Sequence, residues 1–365
     1  MSAQEALAAI FREGSTPLGA VAGIARDGRQ DIAATGESHS DGTPMTTSTA
    51  FDVASVTKVA ATSTALLRLV TLGALRFDDP VARYLPRSGC AEGTTIRHLL
   101  QHRAGLWEWQ PLYLDDRDPW RQIDTLPLRH RLDEGRHYSD LGFMLLGRIV
   151  CAATGVPLDE AVRELVCEPL GLTRTGYGPV GAPVASSARG DAAERRMVET
   201  GEPYPIRAER SQNTESRGFA WREEEISGVV NDGNCFHALD GVSGHAGLFS
   251  TAEDLLRLGT ALATDRGDQW LPDARADMFR DGPDSGQALG WRSEFVRVDG
   301  REHRMVWHPG FTGCALGVIP ETGTAVVLLS NRLMAQAPTT TDALWRIALP
   351  ALLEKPLARM EGTPE

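Results

Sequence analysis

The pattern of apolar and polar positions divides the chain into strand-rich ends and a helical middle. Apolar runs of strand length occupy residues 18–25 and 30–35, and the Arg-Asp-Gly-Arg segment between them is typical of a hairpin turn. Near the other end, residues 305–308, 314–319 and 325–330 have the same character, and Pro-Glu-Thr-Gly marks the last turn. We therefore expect an antiparallel sheet built from both termini.

Helical patterns dominate between these ends. An apolar segment stops at Gly73, and Thr95 and Asp140 are candidate N-caps for helices over residues 96–101 and 141–153. Further helices are predicted over residues 6–12, 159–166, 254–263 (after a Ser-Thr-Ala-Glu capping box at 250–253) and 341–353. Strands and helices do not alternate, which disfavours a doubly wound parallel sheet. The predicted fold class is α+β, with helices flanking the sheet.

The length of 365 residues predicts one large unit with two intimately packed parts. We assign residues 1–80 and 285–365 to an α/β subdomain, and residues 81–284 to a mainly helical subdomain with loops. Residues 176–218 are rich in Gly, Pro and charge and are predicted to form a long loop.

A second loop-like stretch, residues 105–136, combines aromatic and acidic side chains. Trp107 and Trp109 lie at its start. Such aromatics either wall a substrate site or pack locally, and the sequence leaves both readings open.

Composition narrows the function classes. Hydrophobic residues make up 42% of the chain and charged residues 24%, as in soluble globular proteins, and the net charge of −12 disfavours binding to nucleic acid or to anionic membranes. No basic, apolar leader opens the sequence, and the five cysteines lack C-x-x-C spacing. We expect a cytoplasmic protein with structural thiols. The oligomeric state is not indicated.

The first candidate for chemistry is the pair Ser55 and Lys58, an S-x-x-K pattern at the start of the apolar segment. On a helix, residues three apart share a face, so the hydroxyl and the amine can meet as a nucleophile and its base. Of 37 Lys and Arg residues, all but Lys58 and Lys355 are Arg. Arg cannot deprotonate in a protein whereas a desolvated Lys can, so the rare lysine beside the serine supports a catalytic role.

Two later stretches supply further candidates. Tyr138 and Asp140 stand at the entry to a predicted helix, where a Tyr packs or, beside a cationic Lys, takes part in proton transfer. His308 and Gly310 end a predicted strand as His-Pro-Gly, which forms a simple turn or brings backbone N–H groups close to a ligand.

These three motifs, in this order, resemble those of the serine β-lactamase and penicillin-binding-protein superfamily, in particular its class C branch of β-lactamases, esterases and D-peptidases. The flanking residues 51–55, 95–102 and 241–251 are similar to segments of the same family. The resemblance covers most of the chain and implies a β-lactamase/transpeptidase-like fold. The sheet would come from both termini, and the site would lie where it meets the helical subdomain.

The resemblance also implies roles for individual residues. Ser55 would be the acylated nucleophile, Lys58 would keep it deprotonable, and Tyr138 would act as general base. The backbone N–H groups of Ser55 and Phe311 would form the oxyanion hole.

Two departures from the family pattern affect substrate binding. Asp140 replaces the usual Asn and would either form a salt bridge with Lys58 or discourage acidic substrates. His308 replaces the Lys of Lys-Thr-Gly, which removes a cation suited to carboxylates. Both changes argue against efficient β-lactam hydrolysis. His308 would act as a neutral donor, as a proton relay or in a structural hydrogen bond.

The implied activity is serine acyl transfer from a small ester or amide. Water as acceptor makes the protein an esterase or amidohydrolase, whereas an amine or alcohol acceptor makes it a biosynthetic transacylase. A D-peptidase, a β-lactamase and a single-turnover β-lactam-binding sensor are further alternatives. No cofactor is expected, and without H-E-x-x-H or a dense His/Asp cluster in the sequence no metal site is expected either.

Overall fold

The computed structural model describes residues 2–12, 16–178, 180–207, 219–264 and 269–354. The predicted loop 176–218 therefore lies partly outside the described residues. Regular elements follow in the order α1 (Ala3–Ile10), β1 (Gly19–Arg26), β2 (Arg29–Gly36), β3 (Phe51–Asp52), α2 (Thr64–Thr71), α3 (Ile96–Leu100), α4 (Pro119–Thr125), α5 (Asp140–Thr154), α6 (Leu158–Val162), α7 (Glu168–Leu170), β4 (Gly176–Tyr177), β5 (Ala188–Arg189), α8 (Ala192–Thr200), β6 (Glu225–Ile226), α9 (Gly233–Ala238), β7 (Leu248–Ser250), α10 (Ala252–Thr264), α11 (Pro272–Phe279), β8 (Arg292–Val298), β9 (Arg301–Pro309), β10 (Ala315–Ile319), β11 (Thr324–Ser330) and α12 (Thr341–Leu353).

Strands from both ends of the chain form one antiparallel sheet, in the order β2-β1-β11-β10-β9-β8. The register places Ala20 of β1 opposite Ser330 of β11, and His308 of β9 opposite Leu316 of β10. Pairing of β1 with β11 thus joins the first and last strands of the chain. The predicted fold class, an antiparallel sheet from both termini flanked by helices, is confirmed.

The central strands are apolar throughout because both faces of the sheet are covered. In β11, Val327 and Leu329 face the core that contains α10 and the helical part of the chain, whereas Val326 and Leu328 face a second core. Helices α1 and α12 pack against each other over that second face. The sheet is therefore a rigid support, and the site residues lie at its end near Pro309.

Several elements differ from the sequence prediction, which missed the short strands β3 to β7 and the helices α4, α9 and α11, of which α4 lies inside the predicted loop-like stretch 105–136. Strand β8 was not predicted, because it is an edge strand with a short apolar face, Val296 and Val298, among polar side chains and the exposed Phe295. Helix α8 lies inside the predicted loop 176–218 and is also largely polar. Ser250 ends strand β7, so the N-cap of α10 is Thr251, whose hydroxyl accepts the N–H of Asp254.

Helix α5 also begins differently from the prediction. Its N-cap is Ser139, which accepts the N–H of Gly142 at 3.1 Å, and Asp140 is the first helical residue. The Asp140 side chain is thereby left for the site. The cap predicted at Thr95 is confirmed, with His98 completing a capping box.

Two general expectations can be compared with the described ranges. All five cysteines are free, and three of them are buried. Within these ranges no single helix is both long enough and apolar enough to cross a membrane. Only the pair Asp140–Thr154 and Leu158–Leu170, taken together, meets the length and hydropathy criteria, and this pair is sharply bent.

Candidate active site

Ser55 stands on a tight turn between strand β3 and the first helical segment. The preceding residue, Ala54, has φ of 46°, a left-handed conformation that L-residues adopt at a cost, and residues Ala54–Val56 form a single 3₁₀ turn. Wider π-helical turns follow over Lys58–Ser63. Ser55 therefore faces the cavity from a strained turn rather than from a regular helix.

The expected meeting of Ser55 and Lys58 is present. Lys58 Nζ donates to Ser55 Oγ at 2.8 Å and to the carbonyl oxygen of His245 at 3.3 Å, and it lies 2.7 Å from Asp140 Oδ1. The Lys58 side chain is fully buried, whereas Ser55 is partly exposed. Of the two alternatives for Asp140, the salt bridge with Lys58 is the one observed.

The ion pair favours the charged form of Lys58 over the neutral amine that a base requires. Burial alone would lower the pKa of Lys58, but the Asp140 carboxylate and the Tyr138 phenol outweigh it, and the pKa is raised. Lys58 is therefore an ammonium group that donates a hydrogen bond to Ser55 Oγ. A separate proton acceptor is needed if Ser55 is to lose its proton.

Tyr138 is the candidate for that acceptor, and the start of α5 brings it close. Lys58 Nζ lies 5.0 Å from the Tyr138 ring centroid. His102, which the sequence singled out only as part of a family-like segment, supports this position: its ring centroid is 4.7 Å from that of Tyr138, and its Nδ1 accepts the N–H of Ser139 at 3.0 Å. Burial, with Arg136 and other cations, holds the pKa of His102 well below its usual range, so it is a neutral acceptor.

The turn after β9 forms another wall of the cavity around Ser55. A Cβ atom at Gly310 would lie 2.3 Å from the carbonyl oxygen of Val53, so only glycine permits this approach to the segment that carries Ser55. The Thr312 hydroxyl donates to the carbonyl oxygen of Asp52 at 2.8 Å. Ser55 and Phe311 consequently line the same cavity, the arrangement that a pair of oxyanion-hole N–H groups requires.

His308 is buried beside this wall. Its Nδ1 lies 2.8 Å from the carbonyl oxygen of Pro309, a contact in which Nδ1–H donates. Burial, the Lys58 ammonium and Arg292 hold its pKa well below the usual range, so the ring is neutral. Among the described residues its Nε2 has no hydrogen-bond partner. A structural hydrogen bond thus occupies one ring nitrogen, and the other remains an acceptor.

An Asp-His pair lies behind Lys58 and was not predicted. His245 Nε2 lies 3.0 Å from Asp232 Oδ1, and its Nδ1 lies 2.8 Å from Ser243 Oγ. This pair orients the backbone carbonyl that accepts from Lys58. Its members are 13 residues apart and follow no helix or strand period, so no sequence pattern joins them.

The cavity in front of Ser55 has a volume of about 1140 Å³. Two arginines, Arg136 and Arg292, line it on the Tyr138 side. Arg136 donates to Gln287 Oε1 at 2.6 Å, and Arg292 pairs with Asp342 at 2.8 Å. Burial and the neighbouring Arg292 lower the pKa of Arg136, which reflects two like charges held near each other.

The two tryptophans, Trp107 and Trp109, have different surroundings. Trp109 is 2% exposed and lines the cavity. Trp107 lies outside this lining: its indole N–H donates to the carbonyl oxygen of Pro127 at 2.8 Å, and its ring packs under the Arg129 guanidinium. Of the two readings left open for these aromatics, local packing is the one observed for Trp107.

Two clusters of carboxylate and imidazole groups lie close enough together to be candidate cation sites. Asp140, Asp232 and His245 come together, but the Lys58 ammonium already lies against them. Glu108, His130 and His137 also converge. The two imidazole rings of this second cluster stack in parallel with centroids 3.4 Å apart, so their in-plane lone pairs run side by side and do not point at one ion.

This fold, with a serine hydroxyl, a lysine and a tyrosine at the end of the sheet, is that of the serine hydrolases of β-lactamase/transpeptidase-like fold. The family model described as Beta-lactamase matches residues 7–349. The chain belongs to the β-lactamase family, which confirms the resemblance drawn from the motifs.

Named relatives agree with this assignment. The chain is 32% identical over 317 residues to the N-acetylmuramyl-L-alanine amidase of Bacillus subtilis (strain 168), covering 79% of this chain and 69% of the relative. It is 31% identical over 320 residues to an Escherichia coli (strain K12) protein provisionally named a D-alanyl-D-alanine carboxypeptidase, covering 79% and 70%. The class C β-lactamase of Rhodobacter sphaeroides shares the fold, with a TM-score of 0.67 at 20% identity over 95% of this chain and 98% of that chain.

Proposed function

We propose that this protein is a serine amidohydrolase that forms an acyl-enzyme at Ser55. The observation that carries the proposal is the contact of Ser55 Oγ with a buried ammonium, Lys58 Nζ at 2.8 Å, on the floor of the large cavity. An ammonium in this position stabilises negative charge on the serine oxygen as its proton leaves.

The chemistry needs no group beyond those at the site. Ser55 Oγ bonds to the substrate carbonyl carbon, and its proton passes to the Tyr138 oxygen while the Tyr138 hydroxyl proton passes to the leaving nitrogen or oxygen as the old bond breaks. The carbonyl oxygen is charged in the intermediate and lies toward the N–H groups of Ser55 and Phe311. Water then attacks the acyl ester, its hydroxyl stays with the product acid, and its proton returns to Ser55.

Arg136 and Arg292 suggest the kind of substrate. Guanidinium groups form paired hydrogen bonds with carboxylates, and the Arg292 guanidinium is also fixed 5.2 Å from the Trp307 ring centroid. We propose that they bind a carboxylate beside the scissile bond and so replace the missing Lys of the family pattern. Two relatives are named for cleaving amide or peptide bonds, which favours a short, carboxylate-bearing amide over a neutral ester.

A transacylase remains the second candidate, and one observation favours it. At about 1140 Å³ the cavity exceeds what a single drug-sized ligand fills, so an amine or alcohol acceptor has room beside the acyl group. The partition of the acyl group between water and an added amine distinguishes the hydrolase from the transacylase. Adding a small amine during turnover yields a new amide if this candidate is correct, whereas unchanged release of acid at saturating amine contradicts it for that amine.

The test of the main proposal is intact-mass spectrometry during reaction with a panel of esters, amides and carboxylate-bearing dipeptides. We expect a mass increase equal to one acyl group, mapped to Ser55 by peptide analysis, and none in Ser55→Ala. A Ser55→Ala protein that still turns over any of these substrates refutes the proposal. Ser250→Ala is the matched control, because Ser250 is buried in β7 away from the cavity lining.

A further inference from the structure

Asp52 is a carboxylate at the end of β3, three residues before Ser55, and the residue is only 3% exposed. Its Oδ1 accepts the backbone N–H of Ala54 at 2.8 Å, and its Oδ2 accepts the backbone N–H of Asn231 at 2.6 Å. Its backbone carbonyl accepts the Thr312 hydroxyl at 2.8 Å. One residue therefore joins the three segments that form the cavity wall around Ser55.

The bond to Ala54 acts on the strained turn. A carboxylate that accepts the N–H two residues ahead closes a ring that mimics a backbone turn, and here it holds Ala54 at its left-handed φ of 46°. Ser55 follows directly, so the direction of its N–H and of its side chain depends on this turn. The bond to Asn231 ties the same turn to the segment that carries Asp232.

The charge state of Asp52 is set by its surroundings. Among the described residues, the titratable groups that face it are Asp232, Arg222 and the thiols of Cys235 and Cys314. Burial raises the pKa of Asp52 to about 6 against the opposing effect of the two backbone N–H groups, while Asp232 raises it and Arg222 lowers it. The carboxylate is thus ionised at neutral pH and protonated in mild acid.

We propose that Asp52 is a positioning residue for the acylation of Ser55: its carboxylate, by accepting the N–H groups of Ala54 and Asn231 together, holds the nucleophile turn and the Asn231–Asp232 segment in their reactive arrangement. The inference rests on the proposed function, since it presupposes an acyl-enzyme at Ser55. Protonation, or exchange of Asp52 for Asn, leaves one oxygen able to accept, so one of the two N–H groups loses its partner.

The experiment compares Asp52→Asn with the matched control Asp254→Asn by burst kinetics on p-nitrophenyl acetate from pH 5 to pH 8. Asp254 is also a buried carboxylate with a raised pKa, and it accepts the N–H of Arg174 at 2.7 Å in the first turn of α10, away from the cavity lining. We expect the acylation rate constant of Asp52→Asn to fall about tenfold or more at pH 8, with KM changed less than about twofold.

The pH profile separates positioning from a merely structural role. The wild type and Asp254→Asn should lose activity as the pH falls through about 6, toward the rate of Asp52→Asn, whose own profile should be flat in this range. Thermal unfolding of both variants gives their stability losses for comparison. A rate for Asp52→Asn within twofold of wild type, or an unchanged acid limb in that variant, overturns the inference.

A second pair of variants keeps the test decisive if Asp52→Asn folds poorly. Glycine adopts a left-handed backbone without strain, so Ala54→Gly makes the turn less dependent on Asp52. The double variant Asp52→Asn/Ala54→Gly should acylate faster than Asp52→Asn, or, if the latter is unfolded, should lack the acid limb that Ala54→Gly retains. A double variant that is no faster than a folded Asp52→Asn, or that keeps the acid limb when Asp52→Asn is unfolded, overturns the inference. Absence of any acyl-enzyme in the wild type contradicts the proposed function instead.

Discussion

Two parts of the cavity are built in different ways: the floor, formed by Lys58 and Asp140, and the rim, formed by Arg292 and Asp342. On the floor, Lys58 is fully buried, and its charge is matched by Asp140 at 2.7 Å and by a backbone carbonyl. On the rim, the Arg292 side chain is 35% exposed and pairs with Asp342, itself 45% exposed. A buried charge depends on every partner, whereas an exposed one is screened by water. We infer that the floor determines whether the reaction occurs and the rim determines which substrate enters.

Replacing Lys58 by Met is the most severe change to the floor. It removes the ammonium beside Ser55 Oγ, and we expect acylation to slow by about 10³-fold or more. It also leaves Asp140 buried without its partner, so the variant should be less stable. Burst kinetics and chemical denaturation measure the two effects separately.

The double variant Lys58→Met/Asp140→Asn is the control for this prediction. Removing both charges of a buried pair is close to neutral for stability, so the double variant should regain stability while staying inactive. Recovery of activity with stability would show that Lys58 acts only through the fold.

Asp140→Asn is expected to cost about 3–5 kcal/mol of unfolding free energy at pH 7, since it breaks a buried pair from one side. The pKa of Lys58 is raised in the folded protein, so the pair stabilises at pH values below the unfolded pKa of Lys and the effect is lost as the pH rises through the folded pKa. The stability difference from wild type should therefore shrink above about pH 10.5.

The exposed pair of Arg195 and Glu199 on α8, 2.9 Å apart with both side chains more than half exposed, is the comparison for Asp140→Asn. Glu199→Gln should cost no more than about 1 kcal/mol at pH 7. Equal losses in the two variants would contradict the distinction between a buried floor and a hydrated surface.

The difference between floor and rim also explains what the sequence could predict. Ser55 and Lys58 are three residues apart, so local helical geometry was enough to pair them. The sheet was predictable because the buried strands β1, β10 and β11 are apolar on both faces. The pairing of Lys58 with Asp140 was foreseen only as one of two options, because it depends on how separate segments fold together.

Other parts of the site had no local signal. Arg292 begins the edge strand β8, where the apolar pattern is limited to Val296 and Val298, so its position opposite Trp307 was not predictable before β8 was paired with β9. His102 and the pair of Asp232 and His245 act through long-range hydrogen bonds that follow no period in the sequence. Trp107 and Trp109 look alike in the sequence, and only packing distinguishes them.

Arg292→Gln tests the rim. If Arg292 binds a substrate carboxylate, its loss should raise KM for a carboxylate-bearing amide about 10- to 100-fold, the value of charged hydrogen bonds, and leave a neutral ester nearly unchanged. Arg196→Gln is the matched control, since Arg196 also lines the cavity but is exposed on α8. Equal effects on charged and neutral substrates would rule out carboxylate recognition by Arg292.

The smallest predicted effect concerns the two tryptophans. Trp107→Phe removes the hydrogen bond to Pro127 and should cost about 1 kcal/mol of stability without changing KM, because its ring lies outside the cavity lining. Trp109→Phe changes a side chain that lines the cavity and should alter KM for bulky substrates more than for acetyl esters. Thermal unfolding and steady-state kinetics on both variants check this. A change in KM for Trp107→Phe as large as that for Trp109→Phe would place both rings on the substrate path and extend the rim toward residue 107.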